Sequence, residues 1–274
     1  MQDQWNPPRL RGMTGRTRAT STYRERNSTA DRALDILLLY STDKPVWTGM
    51  EIAADLGVAR STGYRYLQSL VAAGFIEETA GGYRLGPRIF ELARSARVGL
   101  GLSELSLPVM RSLAARINET VLLTRRSGRS VVCLDLVEAR QAVRLTYERG
   151  HVLPINAGAA AEVLLAWADP HEVSSLLERE PLERFTARTL TEPDQLRARF
   201  AEIRKRGVAV SQGELDEHVL GVAAPIRDGA GQVCAAISIA ALAGRISRSE
   251  LPNVENAVRD AAATVTRALE ARDG

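Results

Sequence analysis

Seven polar residues fall close together: Arg60, Ser61, Thr62, Tyr64, Arg65, Gln68 and Ser69. Guanidinium forks match phosphate oxygens or the O6/N7 edge of guanine, and amides and hydroxyls reach bases or backbone. These residue types on one helix face therefore suit a nucleic-acid duplex. Arg84, in the alternation Tyr83-Arg84-Leu85, adds a further guanidinium. Enzymatic constellations are scarce. The chain has no G-x-S-x-G, no G-x-x-x-x-G-K-[ST] and no G-x-G-x-x-G opening a helix. His151, His171 and His218 are far apart, and neither H-x-x-x-H nor C-x-x-C spacing occurs, so neither a metal nor another cofactor is expected. Cys133 and Cys234 each sit in an apolar run, VVCLDL and QVCAAISIA, as small core residues do. A Cys133 nucleophile paired with His151 or His218 stays open as a hydrolase alternative, because catalytic partners meet in space rather than in sequence. The apolar alternation around Cys133 favours an inert core residue.

The flanking pattern supplies a scaffold for the donors. Ala33, Leu34, Leu37, Leu38 and Tyr40 recur at helical spacing and stop before Pro45. Thr48-Gly49-Met50-Glu51 reads as a capping box opening a second helix, with Ile52, Ala53 and Leu56 on one face. Gly57 supplies a left-handed turn residue. The chain restarts at Ala59 or Arg60 and runs to Gly74, with Leu67, Leu70 and Val71 apolar. Two helices across so short a turn predict a helix-turn-helix, in which residues near the start of the second helix reach bases. Phe75 to Thr79 and Tyr83 to Leu85 then flank Ala80-Gly81-Gly82 as a hairpin. Tyr83 and Leu85 are expected to face the core and Arg84 the opposite side, as a wing offering its guanidinium to a nucleic-acid backbone. Gly63 inside the helix costs about 1 kcal/mol of local helix stability.

Charge sharpens this division. Residues 1 to 90 hold 12 Lys and Arg against 9 Asp and Glu, whereas the remainder holds 24 of each. Arg9, Arg11, Arg16, Arg18, Arg24 and Arg26 lie among Gly, Pro, Thr and Ser in the first thirty residues. Such a stretch builds no core and reads either as a basic arm tracking phosphates or as a solvated tail. At 274 residues and 29.8 kDa the chain is long enough for two cores. Collagen-like, wholly disordered and disulfide-framework classes are excluded by 45% hydrophobic residues and two cysteines. No apolar run approaches the roughly 18 residues of a bilayer span, and the N-terminus is polar where a secretory leader is apolar. A cytoplasmic protein with no membrane partner is expected.

Beyond Pro87-Arg88, Ile89, Leu92 and Ala93 continue a linker helix toward Val98, which Gly99 and Gly101 interrupt. A longer amphipathic stretch runs from Leu102 to Asn118. Strand patterns follow at 121–123, 131–134 and 143–147, with Ser127-Gly128-Arg129 as turn chemistry. Ala160 to Trp167 and Glu192 to Arg206 read as helices, Gly221 to Ile226 and Val233 to Ala241 as strands, and Val254 to Ala271 as a final helix. Hairpin strands with helices grouped between them argue an α+β chain with a mainly antiparallel sheet.

Residues 30 to 92, with STGYRYLQSLVAAGFIEE followed by GGYRLGPRIFEL, resemble the winged helix-turn-helix of the IclR family of transcriptional regulators. From about Leu102 onward, LPINAGAAAEVLLA, IRKRGVAVSQGELDEHVLGVAAPIRD and VCAAISIA resemble that family's effector-binding domain. The resemblance implies a winged helix-turn-helix joined by a linker helix to an α/β GAF-like domain. The expected division is a basic arm over 1–28, a DNA-binding domain over 29–87, a linker over 88–101 and an effector-binding and oligomerisation domain over 102–274. It also implies a regulator, most often a repressor, acting as a homodimer or homotetramer on double-stranded operator DNA. A small-molecule effector, often an organic or aromatic acid, would modulate it.

Carried over by position, Ala157, Gly158, Ala159 and Ala160 match the segment whose backbone amides face the ligand. Glu214 and Gly221 match the stretch beside it, and Ser238 and Ala240 the strand lining it. Three positions depart: Asn156, Glu162 and His218 stand where many members have His, Lys and Gly. Glu162 in place of a cation weighs against an acidic ligand. Two alternatives accompany this expectation: a dimeric DNA-binding protein that senses nothing, and a Ser238 that is a core serine bonded to backbone.

Overall fold

The computed structural model describes residues 29–41, 43–141, 145, 147–179 and 181–273, which fall into two compact units, 29–100 and 101–273. The arm expected over 1–28 lies outside the described residues.

In the first unit, α1 (Thr29–Leu37), α2 (Gly49–Leu56) and α3 (Arg60–Ala72) precede a hairpin of β1 (Ile76–Thr79) and β2 (Gly82–Leu85), and α4 (Arg88–Leu100) follows. The capping box of α2 is formed. Thr48 Oγ1 accepts from the Glu51 amide at 3.2 Å, and the Thr48 amide donates to Glu51 Oε2 at 2.8 Å. Lys44 Nζ adds a bond to Glu51 Oε1 at 2.8 Å and the Thr48 hydroxyl one to Oε2 at 2.8 Å; with the Thr48 amide, these donors hold the Glu51 carboxyl down at about 2. Gly57, at φ 62°, turns the chain into α3. Ile36, Ile52, Leu56, Leu67, Leu70, Ile76 and Tyr83 make the core. Gly63 is buried within the same packing: a Cβ added there would stand 3.1 Å from Ala53 Cβ. The missing side chain lets α3 cross close over α2, which offsets the propensity cost of a helical glycine.

Two sequence expectations are corrected here, and one pairing is added. Leu34 and Leu38 stand 58% and 64% exposed, and Val71 37%, although their spacing marks them as apolar-face residues. Packing onto this core runs through Ala33, Ile36 and Leu37 instead. Gly99 lies inside α4, and the helical run breaks at Gly101, which takes φ 56°. Finally, Trp47 adds a rung of pairing to the hairpin, exchanging backbone bonds with Tyr83 at 3.0 and 2.8 Å.

The second unit contains a six-stranded sheet of order β5-β4-β3-β8-β7-β6, antiparallel at every pairing. Its strands are β3 (Thr120–Ser127), β4 (Ser130–Val137), β5 (Val152–Pro154), β6 (Ala209–Gln212), β7 (Val219–Arg227) and β8 (Val233–Leu242). Helices α5 (Leu102–Ile117) and α9 (Leu251–Asp273) pack on each other and on the sheet, as does α6 (Ala159–Ala166), which α8 (Pro193–Arg206) backs. α7 (Pro170–Glu178) lies against α8. Residues 235–241 of β8 are buried without interruption, as a central strand covered on both faces requires. Of the strand expected over 143–147, Leu145 and Tyr147 are described and carry no strand pairing, and the rest lies outside the described residues. The partner of β4 on its outer side is instead β5. Among the described residues no helix is long and apolar enough to cross a membrane.

Candidate functional site

On α3 the seven polar residues share one accessible side: Arg60, Ser61, Arg65, Gln68 and Ser69 are exposed, and Thr62 and Tyr64 half-buried. Leu67 and Leu70 bury the opposite side. Neither Arg60 nor Arg65 makes an ion pair among the described residues. Arg60 lies 5.4 Å from the Tyr64 ring, a cation–π distance, and the ring rests against Gly49 at the start of α2. The α3 N-cap, Ala59, offers no capping side chain and no acid stands in the first turn, so the helix start is open to an anion. Ser69 Oγ is turned inward along the helix, donating to the Arg65 carbonyl at 3.1 Å. Arg84 is exposed on β2 as expected, but it faces Glu77 across the hairpin and pairs with it at 2.5 Å. The wing therefore presents a neutralised pair rather than a free guanidinium.

The second unit holds a partly open pocket, with a cavity of about 50 Å³, between the start of α6 and strands β3, β7 and β8. Seven of the eight residues expected there line it: Ala157, Gly158, Ala159, Ala160, Gly221, Ser238 and Ala240. The eighth, Glu214, stands just behind, its Oε2 accepting from the Gly158 amide at 3.4 Å. Gly158, at φ 93°, bends the backbone so that the first turn of α6 faces the cavity. The amides of Ala159, Ala160 and Ala161 have no acceptor among the described residues, as the first amides of a helix do when nothing caps them. Gly221 leaves room for Ala159, which an added Cβ would approach to 3.4 Å. The Ser238 hydroxyl makes no bond to backbone among the described residues, unlike the satisfied core serine of the alternative reading.

Sequence reasoning missed Leu122, Tyr147, Leu153, Ala161, Ser211, Leu215, Val219 and Ile239, which complete the wall. Their only sequence signal is apolar alternation, which does not say which face of a strand meets which helix. Also missed was Arg199 of α8. Its guanidinium binds Glu162 at 3.2 and 3.3 Å, Glu214 at 3.2 Å and the Val210 carbonyl at 2.6 Å. Glu162, 1% exposed on the first turn of α6, is pushed up to about 8 by burial and then by Glu214. The third departing residue, His218, donates its backbone amide to Asp216 at 2.8 Å and is not part of the cavity wall.

Cys133 is buried and its thiol is pushed up to about 11, chiefly by burial, the reverse of an activated nucleophile. Among the described residues no cluster of His, Cys, Asp and Glu could hold a metal ion.

Known proteins share this arrangement across both units. The IclR helix-turn-helix domain model matches residues 29–80, and that of the bacterial transcriptional regulator IclR C-terminal domain matches residues 95–267. The chain belongs to the IclR family. It is 34% identical to the HTH-type transcriptional regulator BhcR of Paracoccus denitrificans over 85% of this chain and 84% of that one. It is 29% identical to the HTH-type transcriptional repressor AllR of Salmonella typhimurium, over 95% and 96%. Among solved structures, an IclR-type protein from Silicibacter sp. TM1040 aligns with a TM-score of 0.82 at 28% identity, covering 89% of this chain and 96% of that one. An IclR homologue from Microbacterium hydrocarbonoxydans, solved with 4-hydroxybenzoate, aligns at 0.75 and 27%, covering 89% and 100%. As an IclR regulator this chain carries the family's DNA-binding helix-turn-helix ahead of its C-terminal domain. Its relatives are transcription regulators rather than enzymes.

Proposed function

We propose that this IclR regulator is a repressor which sets α3 in the major groove of its operator and releases or tightens that grip when an effector fills the α6 cavity. The observation that carries the reading is the pairing of an uncovered, cationic helix face in one unit with a partly open cavity of unmet hydrogen-bond donors in the other. Arg60, Ser61, Thr62, Tyr64, Arg65, Gln68 and Ser69 would contact bases and phosphates, and Arg84 the backbone beside them once it exchanges Glu77 for a phosphate. Residues 29–87 act as the DNA-binding part, 88–101 as the linker and 102–274 as the effector part. The repressor sign follows that of AllR. Two copies of one module on one duplex place half-sites about one helical turn, or a multiple, apart, so a homodimer or homotetramer on a near-palindromic operator is the working form, in the cytoplasm. The effector acts by preferring one arrangement of the two modules, because a ligand shifts an equilibrium only by its difference in affinity. A carboxylic acid is the class the resemblance implies, and the charges beneath α6 bear on it directly.

The test is titration of the protein into DNA from upstream of its own gene at two salt concentrations, with a panel of small acids and their uncharged analogues. Salt-dependent, saturable binding that one compound alters is the expected result. Binding to no duplex at low salt would overturn the reading.

A further inference from the structure

The cavity asks for acceptors. Three amides, of Ala159, Ala160 and Ala161, and two hydroxyls, of Ser211 and Ser238, face it with no partner among the described residues, and both serines are more than nine-tenths buried. An occupant must therefore bring oxygen or nitrogen lone pairs, on a body that fits Leu122, Leu153 and Leu215. A cavity of about 50 Å³ favours a small occupant at its inner end; an apolar cavity of about 150 Å³ is known to hold benzene.

The charge around it is the second constraint. No cation lines the wall. The adjacent guanidinium, Arg199, is already shared between Glu162, Glu214 and the Val210 carbonyl. The positive end of α6 is likewise met: Glu214 takes the Gly158 amide, and Glu162 stands in the first turn. Glu214, and above its own value Glu162 as well, thus share one guanidinium, and a ligand carboxylate at the same amides finds no counterion left for it. We infer that the cavity selects a compact, uncharged hydrogen-bond acceptor over the corresponding carboxylate, and that Glu162, acting with Glu214 on Arg199, sets that preference. This rests on the effector-cavity reading above and names the ligand class for it.

The preference depends on pH in a definite direction. Burial and Glu214 push Glu162 up to about 8. Below that value Glu162 carries a proton and repels an anion little; above it Glu162 is ionised and repels one fully. The charged groups facing it are Arg199 from α8 and Glu214 from the β6–β7 loop. The wall residues from β3, β6, β7 and β8 carry no charge, and Tyr147, pushed up to about 12 by burial, stays neutral throughout. Affinity for an anion therefore falls as pH rises through the Glu162 value, while affinity for a neutral acceptor stays level.

The experiment is calorimetric titration of the full chain with propionamide and with propionate, at about pH 6.5 and about pH 9, one on each side of the Glu162 value. Propionamide binds the more tightly, and its advantage widens about tenfold between the two conditions, the equivalent of one unit of coupling. In Glu162→Gln that widening disappears and propionate gains about tenfold at the higher pH. Should this variant fail to fold, the pH series on the natural chain decides alone. Tighter binding of propionate at the higher pH, a ratio insensitive to pH, or no binding of either compound would each overturn the inference. DNA binding is followed in the same samples: intact DNA binding with failed selectivity removes only this inference, whereas lost DNA binding removes the reading beneath it.

Discussion

Arg65 and Arg199 are the same side chain in two different circumstances. Arg65 projects from α3 into solvent with no carboxylate beside it, whereas Arg199 is bound to two buried carboxylates and a carbonyl. The first keeps its hydrogen-bonding capacity for something outside the molecule. The second has its capacity used up inside, and its contribution is to make two neighbouring acids tolerable in a buried place. The contrast runs through both units. In the helix-turn-helix Arg60 and Arg65 of α3 are exposed and make no ion pair among the described residues, while around the cavity the charges are turned away from the lumen and only neutral donors face it. An arginine near a candidate site is thus informative only once its existing partners have been counted.

That contrast can be broken at several places. The largest effect is expected from Arg199→Ala, which leaves Glu162 and Glu214 buried without their counterion. Breaking such a buried pair costs about 3–5 kcal/mol, read by urea unfolding at about pH 9 where Glu162 is ionised, and the loss should shrink as pH falls through the Glu162 value near 8. A loss under about 1 kcal/mol would mean that Arg199 stabilises no more than a surface pair does. Arg65→Ala should instead leave unfolding unchanged and weaken operator binding by about 1–3 kcal/mol if it reads a guanine, with specificity relaxed at one position. Undiminished operator affinity would remove Arg65 from the interface. Thr48→Ala, which deletes one arm of the capping box, should cost about 1 kcal/mol in the same unfolding assay. At the small end stands Cys133: its raised thiol should resist iodoacetamide in the folded chain at about pH 8. Rapid native labelling there would revive the hydrolase alternative.

Local signals were legible in the chain and distant pairings were not. The capping box at Thr48 and Glu51, the turn at Gly57 and the Gly-Gly hairpin each depend on a few adjacent residues, and each formed where spacing put it. Strands β3, β4, β7 and β8 announced themselves by runs of apolar residues, and formed longer than those runs. Strands β5 and β6, of three and four residues, are too short to show a period. Helix α7 did carry a start signal that went unread, Asp169 accepting from the His171 and Glu172 amides ahead of Pro170 at the helix start. The cavity was legible only through the family resemblance, which supplied Gly158, Gly221 and Ser238 but said nothing of Arg199. Its link to Glu162 spans 37 positions, and no local pattern encodes a partner that far away.

The close passage of Gly63 over Ala53 has a genetic corollary. Because the separation of the two helices is set by one methyl group meeting bare backbone, the pair behaves as a knob and a hole that can be exchanged. A cell carrying Gly63→Ala should lose repression as temperature rises, and among its revertants Ala53→Gly should recur, restoring the spacing from the opposite side. The tilt at which the chain meets its duplex would then be inherited as a property of two codons rather than of one.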